Sequence, residues 1–113
     1  MAKIEIVESL LEEIEKKFKQ EGHKILDLIS SLEDTPKKGK VLGTVGGIVI
    51  KEIKNKSFRF FFLADGFKLK CFSEEELTDT LLRFVRMSDK KHQQQTIDEM
   101  RTILIKIGPD GFT

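Results

Sequence analysis

Apolar positions change their spacing several times along the chain. From Lys3 to Val7 they alternate with polar ones, which predicts a short strand. Leu10, Leu11, Ile14 and Phe18, then Ile25, Leu26, Ile29 and Leu32, fall at helical spacing. They predict a helical hairpin interrupted at Gly22 and closed at Asp34-Thr35-Pro36. Ser9 with Glu12 three residues on reads as a capping box for the first helix. Strand spacing returns at Ile48–Ile53, Ser57–Ala64 and Thr80–Met87, with Asn55-Lys56 as a tight turn. Phe58, Phe60 and Phe62 alternate with Arg59, Phe61 and Leu63, so both faces of Ser57–Ala64 are largely apolar. Such a strand belongs in the middle of a covered sheet. Asp65-Gly66 predicts a two-residue hairpin turn into a further strand, Phe67–Phe72, in which Cys71 is a small buried residue. Lys37–Gly47 reads as a basic, glycine-rich loop, and Ser73–Asp79 as an exposed acidic excursion. Ile97, Met100, Ile103 and Leu104 predict a closing helix over Gln94–Ile105, followed by a turn at Gly108-Pro109-Asp110-Gly111. The order predicts an α+β fold: an N-terminal helical hairpin packed on an antiparallel or mixed sheet of four to five strands, with a C-terminal helix. At 113 residues the chain reads as one domain, residues 1–113.

Composition narrows the chemistry. No apolar run approaches the roughly 20 residues that cross a bilayer, and the first residues lack a basic start and apolar stretch, so a cytoplasmic location is expected. Cys71 is the only cysteine, which excludes an internal disulfide and a multi-cysteine zinc site. His23 and His92 are far apart in sequence and the carboxylates are scattered, so no metal and no cofactor is expected. Net charge is +1, but its distribution is uneven. Residues 1–36 hold five lysines against nine acids, whereas residues 37–62 hold seven Lys and Arg against one Glu. An acidic helical part and a basic sheet part predict a molecule with one positive face. GTVGG within the loop lacks the spacing of a phosphate-binding motif and does not precede a helix.

Two segments resemble a known family. SFRFFFLADGFKLK resembles the Tyr-Arg, apolar, Asp-Gly hairpin of the RelE/HigB/ParE superfamily of toxins from toxin–antitoxin pairs, with Phe58-Arg59 where Tyr-Arg is usual. RFVRMSDKKHQQQTIDEM resembles the segment that ends the sheet in the HigB-like branch. The resemblance implies a ribosome-dependent messenger RNA endonuclease, whose partners are a cognate antitoxin, the ribosome and messenger RNA. The chemistry would be metal-independent: a ribose 2′-hydroxyl attacks the adjacent phosphate, helped by a base, by cations and by an acid for the leaving oxygen. The chain departs from the family in having no tyrosine and in carrying SEEELTD between strands that the family joins tightly. Two alternatives therefore stand beside the endonuclease. One is a non-cleaving or ParE-like member that binds a protein such as a topoisomerase, and the other is a plain interaction domain.

The resemblance also implies roles. Arg59 would hold the scissile phosphate bidentately, unless it is an edge-strand arginine covering the sheet with its stem. Lys51 and Lys54 would contact backbone phosphates, or else face solvent. Phe58 would stack on a base. Arg83 or Arg86 would supply a second cation; three residues apart on a regular strand, they are expected on opposite faces. Lys90, Lys91 and His92 would form the basic tail, with His92 kept neutral by neighbouring cations as a general base, or simply capping a helix. His23 reads as a surface residue.

Overall fold

The computed structural model describes residues 1–113 throughout. Strand β1 (Lys3–Ile6) leads into helices α1 (Glu8–Phe18) and α2 (Gly22–Ser30), each followed by a single 3-10 turn. Strands β2 (Lys40–Val45), β3 (Ile48–Asn55) and β4 (Phe58–Asp65) form a meander, and helix α3 (Gly66–Cys71) follows. Strand β5 (Leu81–Asp89), helix α4 (Gln93–Lys106) and a 3-10 turn at Pro109–Gly111 complete the chain. The sheet order is β1-β5-β4-β3-β2; β1 runs parallel to β5 and every other pair is antiparallel. This is the expected α+β architecture, a mixed five-stranded sheet with β4 at its centre.

Helices cover both faces of β4. Phe18 of α1 meets Phe58 and Phe60 with ring centroids 5.1 and 6.2 Å apart, so α1 lies over the even-numbered face. Gln93 and Glu99 of α4 bond Glu52 and Arg86, both of which pair with Phe61, so α4 lies over the odd-numbered face. Phe60, Phe61 and Phe62 are fully buried between them.

Several local expectations need correction. Helix α1 starts at Glu8 with no side-chain cap. Val7 donates its N–H to the Phe84 carbonyl and its own carbonyl accepts from Leu10 and Leu11, so pairing on β5 sets the junction and Ser9 lies inside the helix. The supposed loop contains β2, because Gly46 and Gly47, at φ 55° and 87°, make the two-residue hairpin turn that joins it to β3.

Asp65-Gly66 makes no hairpin. Asp65 is extended, and its carboxylate accepts the Lys68 N–H at 3.1 Å as the N-cap of α3. With β3 and β5 already on either side, β4 has no free edge for Phe67–Phe72 to join. Cys71, at the end of the resulting helix, is exposed rather than buried.

Arg83 and Arg86 share a face. Phe61 pairs with Arg86 but Phe62 pairs with Phe84, so Val85 is an extra residue in β5 and the alternation shifts by one.

Candidate functional site

Lysines gather at one end of the sheet. Lys54 lies near the end of β3 and Lys56 in the β3–β4 turn, β5 ends at Asp89, and Lys90, Lys91 and His92 lead into α4. Lys17, near the end of α1, lies 5.1 Å over the Phe58 ring at this same end. The opposite end carries Asp65, Asp79 and Asp110 around Lys68 and Arg83. The charge asymmetry of the sequence thus becomes a polarity along the strands.

Arg59 sits within the basic end. Register places Lys54, Arg59 and Ser88 side by side across β3, β4 and β5, all on the α4 face. Arg59 is 7% exposed and has no ion pair. Its Nε and Nη1 are enclosed without any acceptor, which leaves Nη2 as its contact with solvent. The Ser88 hydroxyl is also enclosed without a partner. Glu52, two residues from Lys54 on the same face, is 2% exposed; its Oε2 accepts from Gln93 at 2.8 Å and its Oε1 has no partner. A buried guanidinium without an ion pair is costly for the protein and well suited to receive an anion. The edge-strand alternative for Arg59 is therefore corrected: it lies on the central strand, without an ion pair.

Around the end of β5 lies a small cleft of about 210 Å³ whose walls include Glu13, Lys17, Phe58, Asp89 and His92. Asp89 Oδ1 accepts the His92 backbone N–H at 2.8 Å and lies 2.8 Å from His92 Nδ1. Those contacts, the backbone one foremost, hold the Asp89 carboxyl below the usual carboxylate range. Glu13 remains exposed as a residue, yet partial burial raises its carboxyl above that range against the pull of Arg86 and Lys17. Ser88 lines this cleft and also pairs with Arg59, so the cleft and the Arg59 row meet at Ser88.

The predicted residues do not all converge. Lys54, Arg59, Lys90, Lys91, His92 and Phe58 share the basic end, Phe58 on the α1 face and Arg59 on the α4 face. Arg83 and Arg86 are engaged elsewhere. Arg83 bonds Glu5, Pro109 O and Phe112 O, while Arg86 bonds Glu99 and Val85 O and lies 5.0 Å over the Phe112 ring. Together they hold Phe112, 0% exposed, against the sheet. Lys51 pairs with Phe62, so it faces away from Arg59. Its Nζ donates to Lys37 O at 2.7 Å, and it is 3% exposed. His23 is exposed, as expected, and bonds Gln20 O.

Sequence reasoning missed Glu13, Lys17, Glu52, Ser88, Asp89 and Gln93. Asp89 carried a usable signal, since an acid just ahead of a helix can accept the backbone N–H three residues on, here that of His92. Glu13 carried none, because only the packing of α1 brings it to the end of β5. No group of His, Cys, Asp and Glu is arranged to hold a metal ion, and no helix is long and apolar enough to cross a membrane. Comparison with family models, with curated proteins and with solved structures gives no match to this chain.

Proposed function

We propose that the chain is the toxin component of a toxin–antitoxin pair of the RelE/HigB kind, acting as a ribosome-dependent messenger RNA endonuclease. The observation that carries this reading is Arg59, a buried guanidinium without a partner, set between Lys54 and Ser88 at the end of the sheet that also carries Lys90, Lys91 and His92. A phosphodiester supplies the negative charge that the guanidinium lacks. In the proposed reaction His92, with Nδ1 donating to Asp89, accepts the 2′-hydroxyl proton on Nε2. The 2′-oxygen bonds to phosphorus, the bond to the 5′-oxygen breaks, and that oxygen takes a proton from Lys91, leaving a 2′,3′-cyclic phosphate. Arg59 and Lys54 stabilise the charge on the phosphorane between these steps. A cognate antitoxin with an acidic or amphipathic segment is the partner that would cover this basic end. Salt-sensitive co-purification with the product of the adjacent gene is expected, and separation at low ionic strength excludes that candidate.

A second reading, binding without cleavage, draws support from Arg83 and Arg86. Both are engaged in holding the C-terminal turn, so neither guanidinium is unpaired as that of Arg59 is. Cleavage of messenger RNA on purified ribosomes separates the two readings. Wild-type chain is expected to cut, and Arg59→Ala to cut ~100-fold more slowly or worse, the usual scale for losing one transition-state donor. Arg59→Lys should restore little, because a compact, strongly hydrated ammonium tolerates this enclosure less well than a guanidinium. Growth arrest without cleavage supports binding alone, and equal cleavage by Arg59→Ala removes Arg59 from the site.

A further inference from the structure

A second feature lies away from the basic end. Helices α1 and α2 contribute no residue to a half-open groove of about 600 Å³ on the face opposite Arg59. Its floor is Val49 and Lys51 of β3, and its walls include Lys37, Val41 of β2 and, from α3, Phe67 and Lys70. No acid lines it. Lys51 is the unusual member. It is 3% exposed, bonded only to the Lys37 carbonyl and backed by the Phe62 ring at 5.7 Å. Its ammonium has no carboxylate partner, and burial, aided by Lys37, lowers its pKa below the ordinary lysine value. At the rim, Phe67 and Val41 are 67% and 59% exposed.

We propose that this groove docks an acidic, apolar segment of a protein partner, with a carboxylate seated on Lys51 and apolar side chains on Phe67 and Val41. Charge complementarity selects the occupant, since the groove offers three ammonium groups and no acid. A protein segment is favoured over a small ligand because the exposed rim residues would stay wet around a molecule confined to the floor, whereas a chain crossing the groove covers them. A buried ammonium rewards a carboxylate more than a surface lysine does, because most of its desolvation is already complete before the partner arrives. This inference does not rest on the endonuclease reading, which concerns the other face and the opposite end of the strands.

The test pans short random peptides displayed on phage against the immobilised full-length chain. Enriched peptides are expected to place Asp or Glu beside Leu, Ile, Val or Phe. Synthetic copies should lose about tenfold or more in affinity for Lys51→Met, the scale of losing one partner of a buried charge pair. Because Lys51 contacts the core, Phe67→Ser and Lys70→Glu, both at exposed positions, must also weaken binding while leaving the circular dichroism spectrum unchanged. Enrichment of peptides without acids, equal affinity for all three variants, or no enrichment at all overturns the proposal. It is likewise overturned if decanoate or a single-stranded RNA oligonucleotide shifts the Lys51 and Phe67 resonances while no peptide does.

Discussion

Arg59 and Lys51 are two buried cations with opposite surroundings, and each makes a prediction at the residue scale. Arg59 has neither an ion pair nor an acceptor for Nε and Nη1, so it contributes no stabilising contact that a neutral side chain would lose. Replacing a buried charge of this kind by an apolar group of similar length is neutral or favourable. Arg59→Met is therefore expected to melt at or above the wild-type temperature while losing RNA cleavage; a clear fall in melting temperature would show that Arg59 is structural. For Lys51 the sign follows from proton linkage. Its pKa in the folded chain is lowered, so between the folded and unfolded values the unfolded chain binds more protons and stability rises with pH. Lys51→Met removes that cost. Its stability gain over wild type at neutral pH should shrink as the pH approaches about 10.4, the ordinary lysine value. Urea unfolding at neutral and alkaline pH measures this, and a gain that does not change with pH would contradict it.

At the scale of elements, the region after β4 shows how one dipeptide serves two structures. Asp-Gly is a hairpin turn where both residues take positive φ and a partner strand is free. Here β4 already has two neighbours, and Asp65 uses its carboxylate as a helix cap instead. Asp65→Ala should destabilise the protein by about 1 kcal/mol, the typical value of an N-cap, and should speed hydrogen exchange at the Lys68 amide. Unchanged exchange would show that α3 is held by packing alone. The extra residue in β5 has a larger consequence. It turns both Arg83 and Arg86 toward α4 and the C-terminal turn, where they hold Phe112 and are engaged by other partners.

Across the whole molecule, charge is polarised along the strands. Lys54, Lys56, Arg59, Lys90 and Lys91 crowd one end, while Asp65, Asp79 and Asp110 lie at the other. Affinity for single-stranded RNA should therefore fall steeply with salt, with a logarithmic slope of roughly −0.7 for each phosphate contacted. Lys54→Ala should flatten that slope by about one contact. Arg83→Ala, at the acidic end, should leave it unchanged, and titrations at several salt concentrations distinguish the two. Equal slopes for wild type and Lys54→Ala would remove Lys54 from the RNA path.

Where apolar spacing was strong, sequence alone determined the outcome. The helical hairpin, the two-faced strand Phe58–Leu63, the closing helix and the α+β class follow from burial, which acts on every residue of a periodic run at once. The basic segment around Lys54–Arg59 was legible for the same reason, since charge counts need no coordinates. Tertiary structure decided what depends on neighbours. The strand Lys40–Val45 formed because the Gly46-Gly47 hairpin lays it along β3. The segment Phe67–Cys71 turned helical because β4 had no free edge. Arg83 and Arg86 share a face because one extra residue resets a period of two. Arg59 is buried and unpaired because α4 returns over the sheet, and Lys51 is buried because Lys37 and Phe62 enclose it. A pattern of residue types shows which side chains avoid water, but only the packed chain determines which charged groups are left facing one another, and which face nothing.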